Sequence, residues 1–443
     1  MAVADPPASQ YSAPVLPPAG TKPSLQGVHI KQRKGQAKAA AKFEPFQFRD
    51  QLVHHLASCP PSDYDSISAK LDALASQLDY RKYEEQLFQI LLVGAVLAPG
   101  GSIVEDGVDR CTFSIATTGG DGDKVDLAEM KKATAVFERL MRRYKYLQHE
   151  FSENYLKQVL GYAGKFAPVE QERLAAATAL FVQADLVPAS VVGAVKTDWN
   201  VKNGIAQPFL VNFFKTLVAI KEPLEPVLSS FRKAGLAELD TFFPTNKRAE
   251  VVPTLRSSGV AAVADWYAKG KATQIRDEVT KKVKALVGEH ADPDEILGVL
   301  QPIYSRSVPA IVSETDFIAL VFLALVSRID LNAEGPVVID EAVIQVKEYS
   351  PVLEPFTQRA VAEVALVNTI QVWCHDNPKV GPAFPRLLKT LVGADILSTG
   401  PLVYWYTKGH KAQGAEQLRA KAAPLIKFLQ EQDEEDSDED ESD

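Results

Sequence analysis

Residues 78–92, "LDYRKYEEQLFQILL", decide the fold. Tyr80, Tyr83, Leu87, Ile90 and Leu91 fall at i, i+3, i+7, i+10 and i+11, which gathers them on one face of an α-helix instead of alternating them across a strand. The spacing recurs at 151–160, "FSENYLKQVL", with Phe151, Tyr155, Leu156, Val159 and Leu160. Start signals lie between such segments. In "ADPDEIL" Asp292 is placed to cap, with Pro293 at the first helical position and Glu295 at the third, and Ser350 with Pro351 reads as a second case. Only "RCTFSIATT" at 110–118 alternates in strand fashion, and the "GGDGD" after it makes an extended surface loop the expectation.

Helices of about 10 to 18 residues joined by short Pro- or Gly-marked turns predict an all-α chain of stacked antiparallel, HEAT-like helix pairs. A soft boundary is expected near 244–258, in "FFPTNKRAEVVPTLRSSG", giving helical domains at 43–250 and 258–430. Residues 1–42 hold six prolines by position 23 and then the basic stretch "IKQRKGQAKAAAK", a composition expected to form a disordered arm able to touch RNA weakly or an acidic surface. That arm opens without a charged-then-apolar signal pattern.

The charge is distributed unevenly. The net charge of −9 would suggest a generally acidic protein, yet residues 431–443 hold ten acids and no base, and the rest carries 48 basic against 47 acidic side chains. An acidic tail therefore follows a nearly neutral body. Three scattered cysteines, Cys59, Cys111 and Cys374, exclude a four-cysteine zinc site and a disulfide framework, and point to a reducing, cytoplasmic setting. The apolar runs "FIALVFLALV" (317–326) and "ILLVGAVLA" (90–98) are short of the roughly 20 residues a membrane helix needs, so buried helices are expected.

No catalytic constellation stands out, and no cofactor or metal is expected. Neither G-x-x-x-x-G-K-[ST] nor G-x-G-x-x-G occurs, and "DGD" lacks the closing Glu of a calcium loop. His54 and His55, and likewise Cys374 and His375, are sequence neighbours whose side chains diverge on a helix. What remains suits binding. "GPLVYWYTKGH" puts Leu402, Trp405 and Tyr406 on one face, with core and surface both open to the indole. A last helix aligns Leu418, Ala422, Leu425 and Leu429, with Phe428 beside them, and the acids follow. Pro424 is expected to break or restart that helix, and acids at a helix C-terminus oppose its dipole, so the acidic run is expected to fray.

"LDYRKYEEQLFQILLVGAVLAPGG" (78–101), "FERLMRRYKYLQ" (137–148), "FFPTNK" (242–247), "KEYSPVLEPFT" (347–357), "YWYTKGH" (404–410) and the acidic end together resemble the translation initiation factor five mimic proteins, also called basic leucine zipper and W-two domain proteins. The resemblance implies HEAT-like pairs and a C-terminal W-two domain similar to that of initiation factor five. It implies a non-enzymatic regulator that binds initiation factors two and three in the preinitiation complex, competing with factor five and limiting initiation at poor start codons. The implied target on factor two is a lysine-rich segment of its beta subunit. Glu431, Asp433, Glu434, Glu435 and Asp436 would engage those lysines, with Trp405 and Phe428 supporting the surface; Phe428 stands where the family has its second tryptophan. Ser437 and Ser442 in their acidic setting are candidate phosphorylation sites. A helical-repeat scaffold for RNA or cytoskeletal partners is the alternative of a different class, and a GTPase activator is the enzymatic one.

Overall fold

The computed structural model describes residues 43–119 and 124–440, with the main chain only over 433–440. The arm at 1–42 and Ser442 lie outside the described residues. Among the described residues there are twenty α-helices and no strand, only an isolated bridge between Leu97 and Ile103. The chain is all-α and HEAT-like, as the helical spacing requires.

Alternate helices are neighbours, which sorts them into two layers. In the first half, Tyr64–Leu74 packs on Leu127–Arg143, that on Pro168–Gln183, and that on Ala206–Ala219. The opposite layer runs from Glu84–Val93 to Leu156–Gly161, then to the 3-10 segment Ala189–Val195 and Leu224–Lys233. The second half repeats the scheme: Ala261–Gly288, Glu314–Leu325, Ala360–Asp376 and Thr399–Tyr404 form one row, and Gly335–Glu348, Phe384–Val392 and Ala415–Asp440 the other.

Side-chain caps set several starts. Asp126 accepts from the amides of Ala128 and Glu129 at 2.8 and 3.3 Å, and Asp292 accepts from Asp294 at 2.9 Å behind Pro293, as its sequence position predicts. Ser350 does not cap. It opens the four-residue helix Ser350–Leu353, and its hydroxyl turns back to donate to the Lys347 carbonyl at 2.9 Å.

Two hydrophobic clusters divide the interior, one from Phe48 to Tyr267 and one from Ile275 to Leu429. Both draw on the same 28-residue helix, Ala261–Gly288. Val263, Ala264 and Tyr267 enter the first cluster, and Ile275, Val279, Val283 and Val287 the second. At 1.5 Å per residue this helix is about 42 Å long, a continuous strut between the cores. The segment at 244–258 is helical for much of its length and gives Val251, Val252 and Leu255 to the first cluster.

The 78–92 stretch is helical only in part. Its helix spans Glu84–Val93, and residues 78–83 form the turn before it. Tyr80 is buried from that turn, its hydroxyl donating to the Leu71 carbonyl at 2.8 Å. Within the helix every residue from Gln86 to Val93 is buried, so it has no solvent face. A helix end inside a protein leaves carbonyls that water cannot reach. Residues 110–118 supply the donors: Cys111 N–H to Gly94 O at 2.7 Å, Ile115 N–H to Leu91 O and Ala116 N–H to Leu92 O at 2.9 Å each, and Arg110 Nε to Val93 O at 3.0 Å. The expected surface loop is therefore a buried plug, with Cys111, Phe113, Ile115 and Ala116 in the interior. Gly94 ends the helix at φ +81°, and a Cβ there would stand 3.3 Å from Ser114 Oγ.

In the 151–160 stretch, a π-turn at Phe151–Tyr155 precedes Leu156–Gly161. Phe151, Leu156, Val159 and Leu160 are buried and Tyr155 is half-buried, its ring stacked 5.9 Å from that of Phe88.

Candidate partner-binding surface

The apolar helix Ala360–Asp376 contains two buried amides, Asn368 and Gln371, and both hold the turn that carries Trp405. Gln371 Oε1 accepts from the Trp405 indole N–H at 2.8 Å, and its Nε2 donates to the carbonyls of Lys411 and Gln413 at 2.7 and 2.6 Å. Asn368 Nδ2 donates to Gly409 O and its Oδ1 accepts from Lys411 N–H, both at 2.8 Å. Each buried polar atom has a partner, the condition under which a polar network fixes one geometry instead of destabilising the core. Trp405 is 0% exposed and packs 5.4 Å from Phe384, centroid to centroid. It lies beneath the surface and makes no part of it. The signal for this clamp was present as Asn368 and Gln371, i and i+3 in an otherwise apolar run, but their partners lie some forty residues away and no local pattern joins them.

Beyond the clamped turn the chain enters the Ala415–Asp440 helix, which packs on Phe384–Val392 and Thr399–Tyr404. Leu418, Ala422, Ile426 and Leu429 are its buried stripe. Ile426 takes the place expected for Leu425, which is half-buried. Pro424 neither breaks nor restarts the helix. It lies on the exposed side, where losing one backbone donor leaves the packed stripe intact. Nor does the helix fray at the first acids. Its main chain continues to Asp440, about 16 Å past Leu429. The docked stripe already supplies the nucleus, so each further residue only propagates an existing helix, and the Gln and Glu interspersed among the aspartates are good helix formers.

Phe428 is 51% exposed on this helix, and Tyr404 is 54% exposed on the helix before it. Glu431 is exposed, with Lys427 Nζ 3.6 Å from its Oε1, a surface pair of little energetic weight. Asp433, Glu434, Glu435, Asp436 and Ser437 follow on the helical main chain. The body thus ends in a docked helix whose last turns carry concentrated negative charge next to an exposed aromatic ring.

Other sequence candidates are dispersed. His54 is exposed. Cys374 is buried while His375 is exposed, and burial pushes the Cys374 thiol up to about 12, away from a reactive thiolate. Cys111 is likewise pushed up by burial, to about 11. No group of three or more metal-ligating side chains assembles among the described residues, and no helix among them is long and apolar enough to cross a membrane.

Two layers of helices sharing a central strut, closed by a clamped aromatic turn and an acidic helix end, define a helical-repeat scaffold. Known proteins place that scaffold more closely. Residues 30–277 match the family model described as the 5MP1/2 HEAT domain, and residues 362–439 match the W2 model described as eIF4-gamma/eIF5/eIF2-epsilon. Over 423 residues the chain is 30% identical to eIF5-mimic protein 1 of Homo sapiens and of Mus musculus, covering 94% of this chain and 97% of each relative. The identity to eIF5-mimic protein 2-A of Danio rerio is also 30% over 423 residues, with 95% and 98% covered. The chain belongs to the eIF5-mimic protein family. It is a regulator related to translation initiation factors, of a family that is not one of enzymes.

Proposed function

We propose that this protein restrains translation initiation by occupying initiation factors two and three in competition with factor five, thereby limiting initiation at poor start codons. The observation that carries this reading is the separation of charge: a nearly neutral body, and ten acids within 431–443, at the end of a helix docked in the W2 region. A lysine-rich segment of the factor two beta subunit is the complementary partner. Fields of opposite sign speed encounter and make binding sensitive to salt. Phe428 adds apolar area at the root of the acidic segment, with Trp405 holding the turn beneath. The cytoplasm is where this would occur, and phosphate on Ser437 or Ser442 would add about −1.5 to −2 charges each.

The test is competition. Purified chain added to a factor two–factor five complex is expected to displace factor five, and its overexpression to lower a reporter that starts at a poor codon relative to one starting at a good AUG. An unchanged reporter ratio, with factor five still bound at saturating chain, contradicts the proposal.

A further inference from the structure

The first half of the molecule carries an open cleft of about 720 Å³ between the Lys196–Lys202 segment and residues 241–248. Its polar lining is Lys196, Lys202 and Arg248, with Thr241, Thr245 and Asn246 and a single acid, Asp198. Lys202 and Arg248 are exposed and Lys196 is half-buried, its ammonium 5.7 Å from the Phe242 ring centroid. None of the three has a carboxylate partner among the described residues, whereas many surface cations elsewhere do, as in Lys157 with Glu153 or Arg256 with Asp265.

An exposed aromatic shares a short helix with Asp198, Val201 and Lys202, which line the cleft, while standing outside the lining itself. Trp373 and Trp405 are buried, but Trp199 is 50% exposed and belongs to neither core. On the Asp198–Lys202 helix it lies about 60° around the axis from Lys202, on the side away from Val201. Its turn is rigid. Buried Asn200 donates from Nδ2 to the carbonyls of Gly161 and Val195, both at 3.0 Å, and Asn203 donates to Trp199 O at 2.7 Å. The indole rests on Gly164, where a Cβ would fall 2.1 Å from the ring, and Lys165 Nζ is 5.4 Å from its centroid. The interior does not need this ring to be exposed, yet glycine and two asparagines hold it in place.

We propose that this cleft binds single-stranded RNA, the phosphates lying along Lys196, Lys202 and Arg248 and a base stacking on Trp199. Unpaired cations in a groove answer a phosphodiester backbone, and an exposed, fixed indole answers a base of any identity. An acidic polypeptide satisfies the cations but makes no use of the indole face, so the ring favours RNA.

The experiment uses the full chain and a fluorescein-labelled 12-nucleotide oligouridylate, read by anisotropy between 50 and 200 mM salt. Three phosphate contacts on a single strand correspond to a slope of log affinity on log salt of about −2, so the cleft's share should fall roughly 20-fold over that range. Lys196→Glu, Lys202→Glu and Arg248→Glu together should flatten the slope by about 2, with thermal melting unchanged. Trp199→Ala should weaken binding about tenfold and Trp199→Phe should restore most of it. Ultraviolet crosslinks should map to the 198–202 peptide. Absence of binding, crosslinks confined to residues 22–42, wild-type affinity in the triple variant, or unchanged RNA affinity in Trp199→Ala would each overturn the assignment.

Discussion

In the Glu84–Val93 helix every residue from Gln86 on is buried, and its last carbonyls are taken by donors from 110–116; in the Ala415–Asp440 helix burial follows one stripe and stops at Leu429. The first is closed by protein at its C-terminal end, and the second runs on past its buried stripe as a helical main chain whose last turns hold acids. Where a helix must bury its end, the sequence around it is committed to satisfying that end. Where a helix leaves the core, its residues are free to meet something else. Stability is accordingly expected to concentrate at the first site, and the recognition proposed above at the second.

Changes that pull the two apart should rank as follows. Phe88→Ala empties a position where a fully buried ring meets Phe151 at 4.8 Å, and should cost about 3–5 kcal/mol in urea unfolding. Gly94→Ala forces a side chain into the left-handed region and against Ser114, and should cost about 1–3 kcal/mol by the same measurement. Trp405→Phe keeps most of the apolar volume but leaves Gln371 Oε1 buried without a donor, a loss of about 1–3 kcal/mol seen as a lower melting temperature. Phe428→Ala, at a half-exposed ring, should change stability by less than about 0.5 kcal/mol while weakening the lysine-rich peptide in a binding titration. A stability loss at Phe428 equal to that at Trp405 would remove the distinction between a ring beneath the surface and a ring upon it.

The helical class was legible because apolar residues recur at the period of the helix, and Asp292 with Pro293 marked a start that the structure keeps. The plug at 110–118 was not legible. Its alternation imitates an exposed edge, and its burial follows from the carbonyls of a helix whose end lies some sixteen residues earlier. The junction between the two cores carries no Pro- or Gly-rich linker, because it is the middle of one helix, Ala261–Gly288, where residues 268–274 between its two sets of core residues include no proline and a single glycine, Gly270. At the candidate site the acids were evident from charge alone. That Trp405 is buried, and that Asn368 and Gln371 hold its turn, depended on contacts across some forty residues. Pro424 misled because a proline's effect on a helix depends on which side it occupies, and the stripe Leu418, Ala422, Ile426 and Leu429 leaves it facing solvent.

The central claim is that the body carries stability and the acidic helix end carries recognition. It is tested most directly by titrating a lysine-rich peptide of the factor two beta subunit against the full chain and against residues 1–430, at several salt concentrations, with the melting temperature of each protein taken in parallel. The two proteins should melt together, with the full chain binding in a strongly salt-dependent manner and the shortened one losing most of its affinity. Equal affinity and equal salt dependence in the two proteins would contradict it.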